Sequence, residues 1–354
     1  MSRSLPAKTP TCAAASRLFK QLQNDPLYQR SQMWALMVAM RAAGRDDADY
    51  ATLMAVSGWS GQFVYNPKPD WPTFIEPAET VQRACAAIGL ALDQTRPDSP
   101  DEAFDFILAN CTEDRPVVAE HLEFGLFVGA EDGAEPRVRF FVVPFFNDGV
   151  WWSRQAFAET FWGGPGDKRL FVLTGPAEPT PPDAVARQTL AGLARLATED
   201  YWTNWRKDAA PNAVTGLRAI ERYAADVADL AHDMQDNKET NKATCFFERG
   251  WGCYAIYPQW TARECTARYL DRAAALFDGA AAKHIRAAAG KYHQAYGAWQ
   301  QWERHLGRSE EFGEYDARWA DPAHRRAGSE AALSALDAER HAVAAVQAAL
   351  AATA

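Results

Sequence analysis

Acyl transfer by a thiol needs a cysteine and a base to take its proton, and the chain carries 6 cysteines and 7 histidines. His121 and Glu123 have the most suggestive spacing, since residues two apart on a strand share a face. An imidazole and a carboxylate would then look into one space, with His121 as base for a thiol supplied from elsewhere. The plainer alternative is that His121 caps or packs a strand end. The run Trp59-Ser60-Gly61-Gln62 offers a second arrangement. Gly58 and Gly61 permit unusual backbone angles beside a large ring, and Gln62 could donate to an oxyanion or carbonyl. A turn packed by Trp59 would use the same residues.

Cys245-Phe246-Phe247-Glu248-Arg249-Gly250-Trp251-Gly252-Cys253-Tyr254 combines aromatics, two thiols and a charged pair. It reads either as a lid or wall over a cleft or as an interhelical loop anchored by Trp251. A disulfide across it fits geometrically but not a reducing compartment. Cys85, Cys111 and Cys265 are expected as small buried hydrophobes, and Cys12 precedes the first apolar helix. Glu303, His305, Glu310 and Glu311 are metal-ligand types without the HExxH spacing, so a solvated helix end accounts for them. No metal and no cofactor is expected.

Composition narrows the partners. A net charge of −9 argues against phosphate backbones as ligands in the absence of a local basic patch, and His324-Arg325-Arg326 is too short a cluster to supply one. No run approaches the roughly 20 apolar residues that span a bilayer. Residues 1–16 lack the apolar core of a secretory signal, so a cytoplasmic protein with no membrane partner is expected. Asn110-Cys111-Thr112 matches a glycosylation acceptor, which has no meaning without secretion. The 13 tryptophans point to large aromatic cores, an aromatic cleft or an interface between copies of the chain.

The elements that would position these groups fall into two rhythms. Apolar residues from Trp34 to Ala43 predict a helix stopped by Gly44, and Asp49 to Val56 a second. Pro-rich residues 66–75 must be loop, and Glu76 to Leu90 is helical. Ser99 with Pro100 opens another helix as cap and first residue. Strands are expected at Pro116–Ala119, Phe124–Gly129, Arg137–Val143 and Lys168–Thr174, with a hairpin turn at Asp132-Gly133 and a short helix over Trp151–Trp162. Gly175–Pro182 holds four prolines in eight residues and stiffens a joint. Beyond it, spacings of three and four residues predict about five helices. One of them carries the stripe Ile285, Ala289, Tyr292, Tyr296, Trp299, Trp302 and Leu306. The predicted class is α+β: residues 1–175 with a small antiparallel sheet, a linker at 176–182, and an all-α bundle at 183–354.

The run Ser31-Gln32-Met33-Trp34-Ala35-Leu36-Met37-Val38-Ala39-Met40-Arg41 and the element order of the first half resemble papain-superfamily domains of the bacteriocin-leader-processing type. Arg41–Gly44 with Tyr50–Gly58, and Gly250–Tyr254 with Trp260–Arg263, look more closely like cysteine-peptidase-like proteins similar to the acyltransferase of butirosin biosynthesis, some of which carry an appended helical domain. The resemblance implies a papain-like first domain. There, a cysteine at the start of a helix, often followed by Trp-Ala, is held as a thiolate by the helix N-terminus. The residue here is Met33, and a thioether has no proton to lose. The strand-opening histidine of that family falls nearest Glu123, and the aspartate before a proline falls at Val143, so nucleophile, imidazole and orienting carboxylate all fail to carry over.

The expected function is therefore a catalytically inactive cysteine-peptidase-like protein. It would bind a peptide or small metabolite in a cleft between the domains, lined by Met33, Trp34, Trp59, Gln62, Glu123 and Trp251. The alternatives are an active thiol amide hydrolase or acyltransferase using a displaced cysteine and His121, and an assembly protein that forms homo-oligomers through its aromatic helical face.

Overall fold

The computed structural model describes residues 31–65, 77–112, 115–120, 124–142, 149–164, 168–199, 214–232, 257–307 and 312–353. The fold is α+β, and it divides into two compact units, Met1–Leu53 with Val81–Thr180, and Met54–Thr80 with Pro181–Ala354. The C-terminal boundary falls in the proline-rich segment. Residues 54–80 group with the helical second unit rather than with their neighbours in sequence.

In chain order, α1 is Ser31–Ala42 and α2 is Tyr50–Val56, followed by a 3-10 turn at Trp59–Gly61 and β1 at Val64–Tyr65. Helix α1 ends as expected, with Gly44 in the left-handed region (φ +82°) and Arg41 Nε donating to the Ala48 carbonyl at 2.9 Å. Helix α3 (Pro77–Ile88) is shorter than expected, because Gly89 at φ +71° breaks it. Leu90 then opens a strand that the sequence pattern did not indicate, β2 at Leu90–Thr95. Helix α4 (Pro100–Asn110) begins with Ser99 Oγ accepting from Glu102 N–H and Pro100 inside the first turn, as its sequence requires.

Strands β3 (Val117–Glu120), β4 (Phe124–Glu131), β5 (Arg137–Val142), β6 (Val150–Ser153) and β7 (Leu170–Pro176) complete the main sheet. It is antiparallel throughout, in the order β2-β7-β3-β4-β5-β6. The helix expected over Trp151–Trp162 is corrected in its first half. Val150–Ser153 pairs with β5, so Trp152 lies on Phe127 and Phe140, while Trp151 stacks with Arg137 and Arg139. Ser153 then caps the short helix α5 (Arg154–Phe157), which runs into a π turn at Ala158–Trp162. One sheet face buries Val117, Ala119, Phe127, Val138, Phe140, Leu170 and Val172 against Phe104 and Ile107 of α4 and Phe157 and Phe161. Helix α1, buried from Gln32 to Met40, packs on β3 and β4.

The second unit contains α6 (Pro182–Thr198), β8 (Val214–Thr215), α7 (Gly216–Ala228), α8 (Tyr257–Ala273), α9 (Gly279–Leu306), α10 (Phe312–Ala320) and α11 (Pro322–Ala352). The bundle thus has a helix more than the expected five among the described residues. Strands β1 and β8 pair as a two-stranded antiparallel sheet. The core joins Phe63 and Tyr65 to Ile220, Tyr223, Val227, Trp299, Trp302, Trp319 and Leu336. The aromatic stripe of α9 is therefore interior, with only Tyr296 partly exposed, and Trp299 and Trp302 offer no outer face for assembly. Among the described residues no helix is long and apolar enough to cross a membrane.

Candidate functional site

The residues that sequence reasoning singled out are distributed over both units. Met33 lies two residues into α1, and both it and Trp34 have no exposed surface. An apolar helix laid on a sheet must bury its long side chains, and Met33 and Trp34 are core in this conformation. His121, Glu123, Val143 and Trp251 lie outside the described residues, as do Cys12, Cys245, Cys253, Glu310 and Glu311.

The Trp59–Gln62 turn belongs to the second unit and is packed from within it. Trp59 is 5% exposed and Gln62 1%. Gly58 adopts φ +87° at the turn's entry, and a Cβ on Gly61 would stand 3.0 Å from Leu196 Cδ1, so that glycine serves close approach to α6. The turn's carbonyls are tied down by Arg263 of α8, which donates from one terminal nitrogen to Ser60 O and Gln62 O at 3.2 Å each. The rest of that guanidinium makes a two-point bond with Glu339 of α11, at 2.8 and 2.6 Å. Trp299 Nε1 also donates to Glu339 at 3.3 Å, and the guanidinium stands 5.9 Å from the centre of the Phe63 ring. A buried charge pair persists when its remaining hydrogen-bonding capacity is also met. Burial, helped by the Glu339 charge, pushes the nearby Tyr292 hydroxyl well above the usual tyrosine value. These groups are a tie between two helices and a turn, not a proton-transfer pair.

The thiols are equally enclosed. Cys85, Cys111 and Cys265 are all buried. Burial pushes the Cys85 thiol up to about 12, and Cys111 Sγ donates to the Phe127 carbonyl at 3.3 Å. A low-pKa nucleophile needs a cationic or solvent-open setting, and the structure gives Cys85 the opposite. His305 meets His324, with ring centres 5.9 Å apart. No group of three or more His, Cys, Asp or Glu among the described residues is placed to hold a metal.

One constellation was missed by the sequence reading, which placed Lys168 inside a strand. Lys168 stands just ahead of β7 with φ +58°, the only non-glycine positive φ among the described residues. It is buried, at 9% exposure. Its Nζ donates to the Gly164 carbonyl at 2.5 Å and stands 5.3 Å from the centre of the Phe161 ring in the π turn. Buried Glu120 ends β3 beside it, its N–H donating to Arg169 O at 2.9 Å. Burial holds the Lys168 ammonium below the ordinary lysine value, with the Glu120 charge acting the other way. The sequence signal was only a Gly-Pro-Gly-Asp turn before a basic pair, which ordinarily marks a solvated strand start.

A scan against protein-family models finds none that matches the chain, and comparison with curated proteins likewise finds no match.

Proposed function

We propose that the first unit is a catalytically silent relative of papain-like thiol hydrolases that binds a peptide or small metabolite. The observation that carries this reading is Met33. A helix laid on the central strands of an antiparallel sheet presents a thioether near its start, where a thiol hydrolase of that kind would hold its thiolate. The burial of Cys85, Cys111 and Cys265 supports the same reading. A net charge of −9 favours a neutral or cationic ligand over a nucleic acid.

Iodoacetamide labelling of the native chain at neutral pH, followed by peptide mass spectrometry, tests the silence directly. Slow labelling, with no cysteine reacting ahead of an ordinary exposed thiol, is the expected result. One hyperreactive cysteine, quenched by His121→Ala, would overturn the proposal in favour of a working thiol hydrolase or acyltransferase with His121 as base.

A further inference from the structure

We propose that His305 and His324 form a two-imidazole site for a divalent cation of the zinc, nickel and copper class, clasping the end of α9 to the start of α11. The inference is independent of the papain-like reading, because it lies within the second unit and uses neither Met33 nor any thiol. The two rings come from different helices, on either side of α10, yet their centres stand 5.9 Å apart with planes at 59°. A cation about 2.0–2.1 Å from one nitrogen of each ring holds the ring centres roughly 5–6.5 Å apart. The observed spacing therefore needs no rearrangement of either helix. Both rings are partly exposed, so an ion can reach the pair from water. His324 Nδ1 is itself enclosed and makes no hydrogen bond, and among the described residues no carboxylate pairs with either ring. Such a nitrogen carries a desolvation cost, and in the ring protonated at Nε2 it is a lone pair available to a metal. His293 shows the contrast, with its two nitrogens committed to Glu264 at 2.8 Å and Asp271 at 3.3 Å.

The helices hold this pair in place. His324 precedes Gly328 by one turn, so the two share a face of α11. A Cβ on Gly328 would collide with the Leu306 side chain and stand 3.6 Å from Trp302 Cδ1, so α11 lies close against the last turn of α9. Trp319 Nε1 donates to the Leu306 carbonyl at 3.1 Å, which fastens α10 to the same turn. His305 thus leaves α9 beside an anchored residue. The donor set selects the ion, since imidazole suits zinc, copper and nickel, whereas magnesium and calcium take oxygen. Two protein donors leave the remaining positions to water, consistent with the absence of any three-ligand cluster among the described residues. The sequence reading weighed His305 only beside Glu303, Glu310 and Glu311 on its own stretch of chain, and its partner comes from the next long helix.

Calorimetric titration of zinc chloride into the full-length chain, with accessible thiols blocked by N-ethylmaleimide, tests the site. One saturable zinc site is expected, with no matching heat from magnesium chloride. His305→Gln or His324→Gln should weaken zinc binding roughly ten-fold or more, whereas His293→Gln should leave it unchanged, with each fold checked by circular dichroism. In the unsubstituted chain, zinc should protect His305 and His324 from diethyl pyrocarbonate but leave exposed His341 reactive, as read by peptide mass spectrometry. No saturable zinc binding, equal heat from magnesium, or binding equally tight in both folded variants would overturn the proposal. So would zinc that leaves His305 and His324 as reactive as before, a result that stands even where a variant fails to fold.

Discussion

Cys85 is held on α3 with its thiol pushed from 9.0 up to about 12 by burial alone, and that asymmetry makes stability depend on pH. Below pH 9 both native and unfolded chains keep the proton. Above it the unfolded thiol ionises while the buried one does not, so stability is lost as pH climbs from 9.0 towards about 12. The loss approaches about 1.4 kcal/mol per pH unit for one proton. Cys85→Ala should flatten this part of the profile, which urea denaturation of both proteins at about pH 8 and about pH 10 would reveal. Equal slopes would mean that Cys85 ionises natively as easily as in the unfolded chain. The expectation that Cys85 is a small hydrophobe was legible because an apolar helix face surrounds it. Lys168 was not, because nothing within a few residues records that Glu120 and Phe161 fold around it.

Arg263 governs the next scale, where α8, α11 and the Trp59–Gly61 turn meet. Replacing it with methionine would strand the Glu339 carboxylate and two carbonyls in the core. The expected loss is about 3–5 kcal/mol, the usual result of breaking a buried charge pair from one side. Adding Glu339→Leu should restore only part of it, because Ser60 O and Gln62 O still lack their donor. Chemical denaturation of the single and double variants measures both steps, and full recovery in the double variant would reduce Arg263 to a partner of Glu339 alone. Local chemistry made some elements readable: the Ser99-Pro100 cap fixes the start of α4, and β4 and β5 pair as a hairpin around the expected Asp132-Gly133 position, although through the longer loop 132–136 rather than a tight turn. Strand β2 was invisible, since its burial alternates poorly and its partner β7 lies far along the chain. Trp151 and Trp152 share that history. Their spacing suits a helix, and only the presence of β5 makes them a strand. Arg263 and Glu339 look in sequence like solvated helix charges, and only tertiary packing makes them interior.

For the molecule as a whole, composition marks the proline-rich segment, but nothing in it shows that residues 54–80 group with the helical unit. Strand β1 pairs with β8, Phe63 and Tyr65 fill the bundle core, and the Tyr65 hydroxyl donates to Asp226 at 2.8 Å. A fragment cut at Pro181 and running to Ala354 lacks all of these. It should fail to give the cooperative melt of the intact chain, and joining residues 54–80 to it through a flexible linker should restore that melt. A cooperative transition in the bare fragment, seen by circular dichroism and calorimetry, would show that the early segment is dispensable.

That borrowed segment also sets an order of events during synthesis. Ser60 leaves the ribosome 203 residues ahead of Arg263, a delay of roughly 10–40 s at ordinary translation rates. For that interval the aromatic side chains of Trp59, Phe63 and Tyr65 have been made but their helices have not. The nascent chain must carry an oily stretch with nowhere to put it, and this is the stage at which a chaperone would have most to hold.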